Sequence, residues 1–171
     1  MNVYPVDGIS GVFLFRPTPH VDERGFFSRT FDAEAIRAVG IDPDGFAQDS
    51  LSRSARGVVR GMHTRRGLGE AKLVRCSYGA VLDVVIDLRA GSPTFRNMET
   101  FELRDTEQTS LYIPAGCAHG FQALTDPAED VAIAFDDPDL AIPWPLPPVM
   151  LSDRDRSAPS LEVALKQLRG E

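Results

Sequence analysis

The chain has 171 residues, 43% of them hydrophobic and 25% charged, enough for one well-buried domain and too few for two of ordinary size. Eighteen Lys and Arg stand against 25 Asp and Glu, and the net charge of −7 excludes a general nucleic-acid or anionic-membrane binder, which needs a basic face. No run approaches the ~20 apolar residues that span a bilayer, and Met1–Ser10 lacks the positive and apolar regions of a secretory signal.

Short apolar runs alternate with Gly, Pro and Asp signals at the spacing of an all-β sandwich or barrel. Strands are expected first at Gly11–Arg16 and Gly25–Thr30. Asp32 then suits the N-cap of a helix over Ala33–Val39 that stops at Gly40. Further strands are expected at Val58–His63, Lys72–Tyr78, Val81–Leu88, Glu99–Leu103, Ser110–Ile113, Gly120–Leu124 and Val131–Phe135. The β-branched content of Val81–Leu88 and the Gly79 turn before it mark a hairpin. Pro143, Pro145, Pro147 and Pro148 forbid regular ladders, so Pro138–Pro148 reads as an extended loop. Ser160 suits the cap of a last helix, Leu161–Leu168, with Gly170 beyond it. Both helices are short and amphipathic, and are expected to cover the barrel rather than hold its chemistry. Cys76 and Cys117 make neither a disulfide framework nor a metal quartet; they fit small apolar side chains in a reducing cytosol, and a cytoplasmic location is expected.

Histidine is scarce, with only His20, His63 and His119. The segment Pro114-x-Gly116-x-x-His119 resembles the second sequence motif of cupins, whose histidine often ligates metal. The first cupin motif needs His-x-His and a glutamate, but the corresponding stretch here is His63-Thr64-Arg65. Two imidazoles without a carboxylate fall short of the three protein ligands usual for a catalytic metal. A metal-free pocket is therefore expected, with His63 free for acid–base work near neutral pH. Arg24 and Arg60 carry planar guanidinium groups that grip phosphate bidentately, although either alone also fits a surface ion pair.

Taken together, these segments resemble the dTDP-4-dehydrorhamnose 3,5-epimerase family over nearly the whole chain. The resemblance is carried by Asp22-Glu23-Arg24-Gly25-Phe26-Phe27, Gln48-Asp49-Ser50, Val59-Arg60-Gly61-Met62-His63 and Lys72-Leu73-Val74-Arg75-Cys76. It continues through Asp83 to Arg89, Ser92-Pro93-Thr94-Phe95, Ile113 to Phe121, Ile142-Pro143-Trp144-Pro145 and Leu151 to Asp155. It implies a single cupin-type jelly-roll β-barrel domain spanning residues 1–171, with two short peripheral helices, in a homodimer that exchanges N-terminal strands. It also implies epimerisation at C3 and C5 of a dTDP-linked 4-keto-6-deoxyhexose, with no cofactor. Both carbons flank the C4 ketone, so removing either proton gives an enolate that a cation can stabilise.

By the same resemblance His63 is the base, Asp155 the carboxylate that orients it, and Lys72 the cation near the C4 oxygen. Arg24, Gln48, Ser50, Arg60, His119 and Arg154 match positions that hold the sugar and diphosphate. On residue chemistry alone, Asp155 also suits a turn cap and Lys72 a solvating charge at a strand end.

The sequence departs from the family in three places. The tyrosine that donates a proton shortly after His-Gly-Phe falls, without gaps, on Ala132, and the chain between Gly120 and Trp144 is shorter than in the family. None of Tyr4, Tyr78 and Tyr112 takes that position, with Tyr112 the one placed to point inward. The family's Phe-x-Glu reads Phe27-Ser28-Arg29, and its Gln-x-Asn reads Gln48-Asp49-Ser50. These changes leave two readings: an epimerase of altered scope or stereochemistry, and a degenerate cupin that binds a nucleotide sugar or an active partner. A metal-dependent cupin lacks ligands.

Overall fold

A computed structural model describes residues 1–67, 69–125, 133–143, 145–146 and 153–169. The chain divides into two compact units, Met1–Pro127 and Ala128–Glu171.

Among its described residues the first unit holds ten strands: β1 (Asn2–Pro5), β2 (Phe13–Arg16), β3 (His20–Asp22), β4 (Gly25–Phe27), β5 (Val59–His63), β6 (Lys72–Arg75), β7 (Ala80–Asp87), β8 (Met98–Arg104), β9 (Ser110–Ile113) and β10 (Cys117–Ala123). They form two antiparallel four-stranded sheets, ordered β1-β2-β9-β6 and β5-β10-β7-β8, and a separate two-stranded hairpin, β3-β4. Period-two alternation gives each large sheet an inner apolar face. Leu111 and Ile113 of one sheet meet Val85, Leu103 and Cys117 of the other in a common core, with Ile9 and Val12 at its end.

The strands expected between Gly11 and Leu124 are present, with shifted ends. Strand β6 stops at Arg75 because Cys76–Tyr78 already lead into the Gly79 turn, where φ is +70°. Strand β10 begins three residues early, at Cys117, directly after Gly116 at φ +88°. Strands β1 and β3 were not expected; Pro5 and the charged surroundings of Val21 mask their alternation. Of the expected strand Val131–Phe135, the first two residues lie outside the described ones and the remaining three are not in a strand.

Helix α1 (Ala33–Ala38) forms as the caps dictate: the Asp32 carboxylate accepts from the Glu34 and Ala35 amides at 3.1 and 3.2 Å, and the Gly40 amide donates to the Arg37 carbonyl at 2.9 Å. In the second unit, a short helix α2 (Asp153–Arg156) precedes α3 (Leu161–Arg169). The Leu161 amide donates to Asp137 Oδ2 at 2.8 Å, so a buried carboxylate from outside the helix meets its first turn. No described helix is long and apolar enough to cross a membrane.

Candidate active site

Strands β5, β10 and β7 bring the polar groups of one sheet together. His63 pairs directly with His119, and His119 in turn pairs with the core residue Val85. Both imidazoles therefore leave the same inner face. Between His119 and Phe121 strand β10 advances two residues, while β5 runs three, from His63 back to Arg60. This bulge explains two glycines of the sequence pattern. Gly61 adopts φ +134°, and a Cβ there would sit 2.5 Å from the Gly120 Cα; a Cβ on Gly120 would sit 2.8 Å from the Arg60 carbonyl oxygen. The backbones touch only because neither residue has a side chain, and the extra residue separates the Arg60 register from the one that sets His63 opposite His119.

Behind His119 stands Asp83, a residue to which no sequence motif gives a role. Its side chain is fully buried, and Oδ2 lies 3.3 Å from His119 Nδ1. The other carboxylate oxygen is buried without a partner among the described residues. Burial pushes the Asp83 carboxyl pKa up, opposed by the His119 hydrogen bond. The signal was present in the sequence: Asp83 shares the inward parity of Val85 and Asp87 in a strand whose remaining residues are all apolar.

Lys72 comes from the facing sheet. It pairs with Ile113, a core residue, so its side chain leaves the inner face with Val74. Its ammonium donates to Glu70 Oε2 at 2.8 Å, and this hydrogen bond lowers the Glu70 carboxyl pKa. Arg65 Nε also approaches the same oxygen, at 3.4 Å. Tyr112 does not point inward: it pairs with Phe13 and Leu73 on the opposite face from Lys72, and stacks edge-on against Phe46.

The other expected site residues come from the bulged end of β5, the β3-β4 hairpin, the segment before β5 and the second unit. Arg60 keeps the Phe121 register, and its guanidinium donates to Ser54 Oγ at 2.9 Å and the Arg53 carbonyl at 3.2 Å. Arg24 sits on the β3-β4 hairpin, exposed and paired with Asp22 Oδ2 at 2.6 Å. Gln48 and Ser50 are exposed in the irregular segment before β5. Arg154 and Asp155 belong to α2, in the second unit. Ala132 lies outside the described residues. Among the described residues no three His, Cys, Asp or Glu side chains cluster as a metal site.

Two antiparallel sheets closing on a common core, with histidines projecting from one inner face, define a cupin-type jelly roll. Residues 7–163 match the dTDP-4-dehydrorhamnose 3,5-epimerase family, and the chain belongs to that family of sugar-nucleotide epimerases. A relative from Pseudomonas aeruginosa, named dTDP-4-dehydrorhamnose 3,5-epimerase, is 40% identical over 162 residues, covering 86% of this chain and 90% of its own. A dTDP-4-dehydrorhamnose 3-epimerase from Streptomyces niveus is 39% identical over 172 residues, covering 92% and 83%. The crystal structure of dTDP-6-deoxy-D-glucose-3,5-epimerase from Legionella pneumophila in complex with dTDP-4-keto-L-rhamnose superposes with a TM-score of 0.67 at 37% identity, covering 95% of this chain and 93% of that one.

Proposed function

We propose that the chain epimerises a dTDP-linked 4-keto-6-deoxyhexose beside its ketone, with His63 as the base. The observation that carries this is the placement of His63 next to His119 on one inner face, with Lys72 projecting from the facing sheet. His63 removes a proton from the carbon next to C4, the C–H electron pair moves into the carbonyl, and the Lys72 ammonium stabilises the enolate oxygen. Asp155 orients His63, while Gln48, Ser50, Arg60, His119 and Arg154 hold the sugar and diphosphate. The family match runs across both compact units, which supports reading them as one catalytic domain.

The working form is a homodimer in which N-terminal strands are exchanged. Support comes from the β3-β4 hairpin, which among the described residues pairs only with itself and exposes Val21, Phe26 and Phe27 to 79%, 64% and 70%. Apolar exposure of this kind on a free hairpin suits docking on a second copy, where Arg24 would enter the partner's site. Two buried free thiols, Cys76 and Cys117, fit a reducing compartment such as the cytoplasm.

Incubation with dTDP-4-keto-6-deoxyglucose in deuterium oxide, followed by NMR at C3 and C5, tests the activity. Exchange with inversion at both carbons is the expected result, and exchange at C3 alone would mark a 3-epimerase. Binding of the nucleotide sugar without exchange at either carbon would leave the degenerate binding module. His63→Ala should abolish exchange; exchange that persists in this variant rules out His63 as the base.

A further inference from the structure

We propose that Lys72 is the proton donor on the face of the sugar opposite His63, taking the place of the tyrosine that the family uses. The inference rests on the epimerase reading. Inversion needs an acid across the substrate from the base, and the two sheets supply that geometry. His63, His119 and Asp83 all belong to the β5-β10-β7 side, so none of them reaches the far face.

On the facing sheet, the inner positions around Lys72 are Val74, Ile113 and Leu111, none of which carries an exchangeable proton. The tyrosines are accounted for as well. Tyr112 is on the outer face, Tyr4 lies on the far edge strand beneath the Arg16 guanidinium, 5.2 Å from its ring centroid, and Tyr78 follows the other end of β6 and is 58% exposed. Among the described inner-face positions of β6 and β9, Lys72 is the protic side chain.

Its chemistry fits the task. An ordinary lysine ammonium and an ordinary tyrosine phenol are acids of nearly equal strength, with pKa values of about 10.4 and about 10. The ammonium carries three donors on a flexible stem, so one N–H can hold the C4 oxygen while another faces the adjacent carbon. The step balances. His63 takes the proton from carbon, the enolate carbon takes a proton from the Lys72 ammonium, and the ketone re-forms. Lys72 is left as a neutral amine that regains a proton from water, and His63 releases its proton to water. Lys72 keeps 27% of its side chain exposed, which gives water that access. Glu70 Oε2, 2.8 Å away, is the positioning group that steers the ammonium between turnovers.

The test separates exchange from inversion in the deuterium experiment, using wild type, Lys72→Arg and Lys72→Gln. Circular dichroism and calorimetric titration with dTDP establish that each variant folds and binds. Arginine keeps the positive charge but is a far poorer proton donor. Lys72→Arg should therefore lose inversion by about 100-fold or more while exchange with retention falls by less than about tenfold. Lys72→Gln should lose both.

If Lys72→Arg inverts at a rate within about tenfold of wild type, or if its exchange and inversion fall in equal proportion, Lys72 acts only as a charge and the proposal is overturned. Wild-type protein that exchanges only with retention overturns it too. Wild-type protein that exchanges nothing overturns the epimerase reading, and this proposal with it.

Discussion

Gly61 and Gly120 press backbone on backbone between β5 and β10, inside the bulge that separates the His63–His119 pair from the Arg60–Phe121 pair. Alanine at Gly61 has nowhere to go: the φ of +134° is unsuited to a side chain, and its Cβ would meet the Gly120 Cα at 2.5 Å and the His119 carbonyl oxygen at 3.1 Å. Gly61→Ala should cost about 1–3 kcal/mol of stability. Relief of the clash displaces the bulge, so the exchange rate at C3 should fall by at least about tenfold in the fraction that remains folded. Thermal melts and the deuterium assay on one preparation check this. An alanine variant with wild-type exchange would show that the bulge does not aim the base.

Asp83 predicts a gain in stability bought by a loss of function. Burial raises the pKa of its carboxyl, so ionisation is costlier in the folded than in the unfolded chain. A carboxyl of this kind favours the fold at low pH and disfavours it as pH rises through the raised native value. Asp83→Asn removes that penalty. Its melting temperature should exceed wild type at pH 8, by the equivalent of about 1 kcal/mol, and the difference should shrink as the pH is lowered. The same variant loses the carboxylate behind His119 and should bind nucleotide sugar more weakly. A stability difference that is flat with pH would contradict the assigned cause.

Asp87 behaves in the opposite sense. It is fully buried, and Arg89 grips it through Nε and the terminal nitrogen at 2.8 Å each, while the hydroxyls of Ser92 and Thr94 donate at 2.5 and 2.7 Å. The Arg89 guanidinium, then these hydroxyls, hold its carboxyl well below the usual carboxylate range. A depressed native value gives stability that is complete above the unfolded pKa, about 3.9, and is lost as pH falls below it toward the native value. Asp87→Asn should be destabilised by about 1–3 kcal/mol at pH 7 and should lose less stability than wild type on acidification. Denaturant titrations at pH 7 and pH 3.5 measure both.

The exposed hairpin gives a prediction about assembly. Phe26→Ser combined with Phe27→Ser removes the large apolar groups of β4 and leaves the two four-stranded sheets untouched. Sedimentation should show a dimer for wild type and a monomer for the variant, with exchange activity falling alongside. Arg24→Ala alone should keep the dimer and raise KM more than it lowers kcat. A monomeric wild type would remove the exchanged-strand arrangement.

Much of this architecture was legible in the chain because strands with one buried face announce themselves. Val81–Leu88 was placed within a residue at each end, and the Asp32 and Gly40 signals marked α1 to within one residue. Alternation about Val74 and Val85 already puts Lys72 and Asp83 on inward positions. What escaped depends on pairing between distant segments. The meeting of His63 with His119 rests on a bulge formed by glycines nearly sixty residues apart in sequence, and the burial of Asp83 follows from two neighbouring strands. Tyr112 was misjudged for a related reason: its face was decided by Phe13 and Phe46, not by its nearness to the Pro-x-Gly motif.

Strand β5 borders its sheet, with β10 as its only neighbour among the described residues. The histidine at its tip is thus anchored through a single ladder, interrupted by the bulge, rather than clamped between two. Border strands open at a fraction of the free energy of global unfolding. The proposed base therefore sits on a border strand of its sheet, and whatever steadies that strand governs how long the imidazole stays in register with His119.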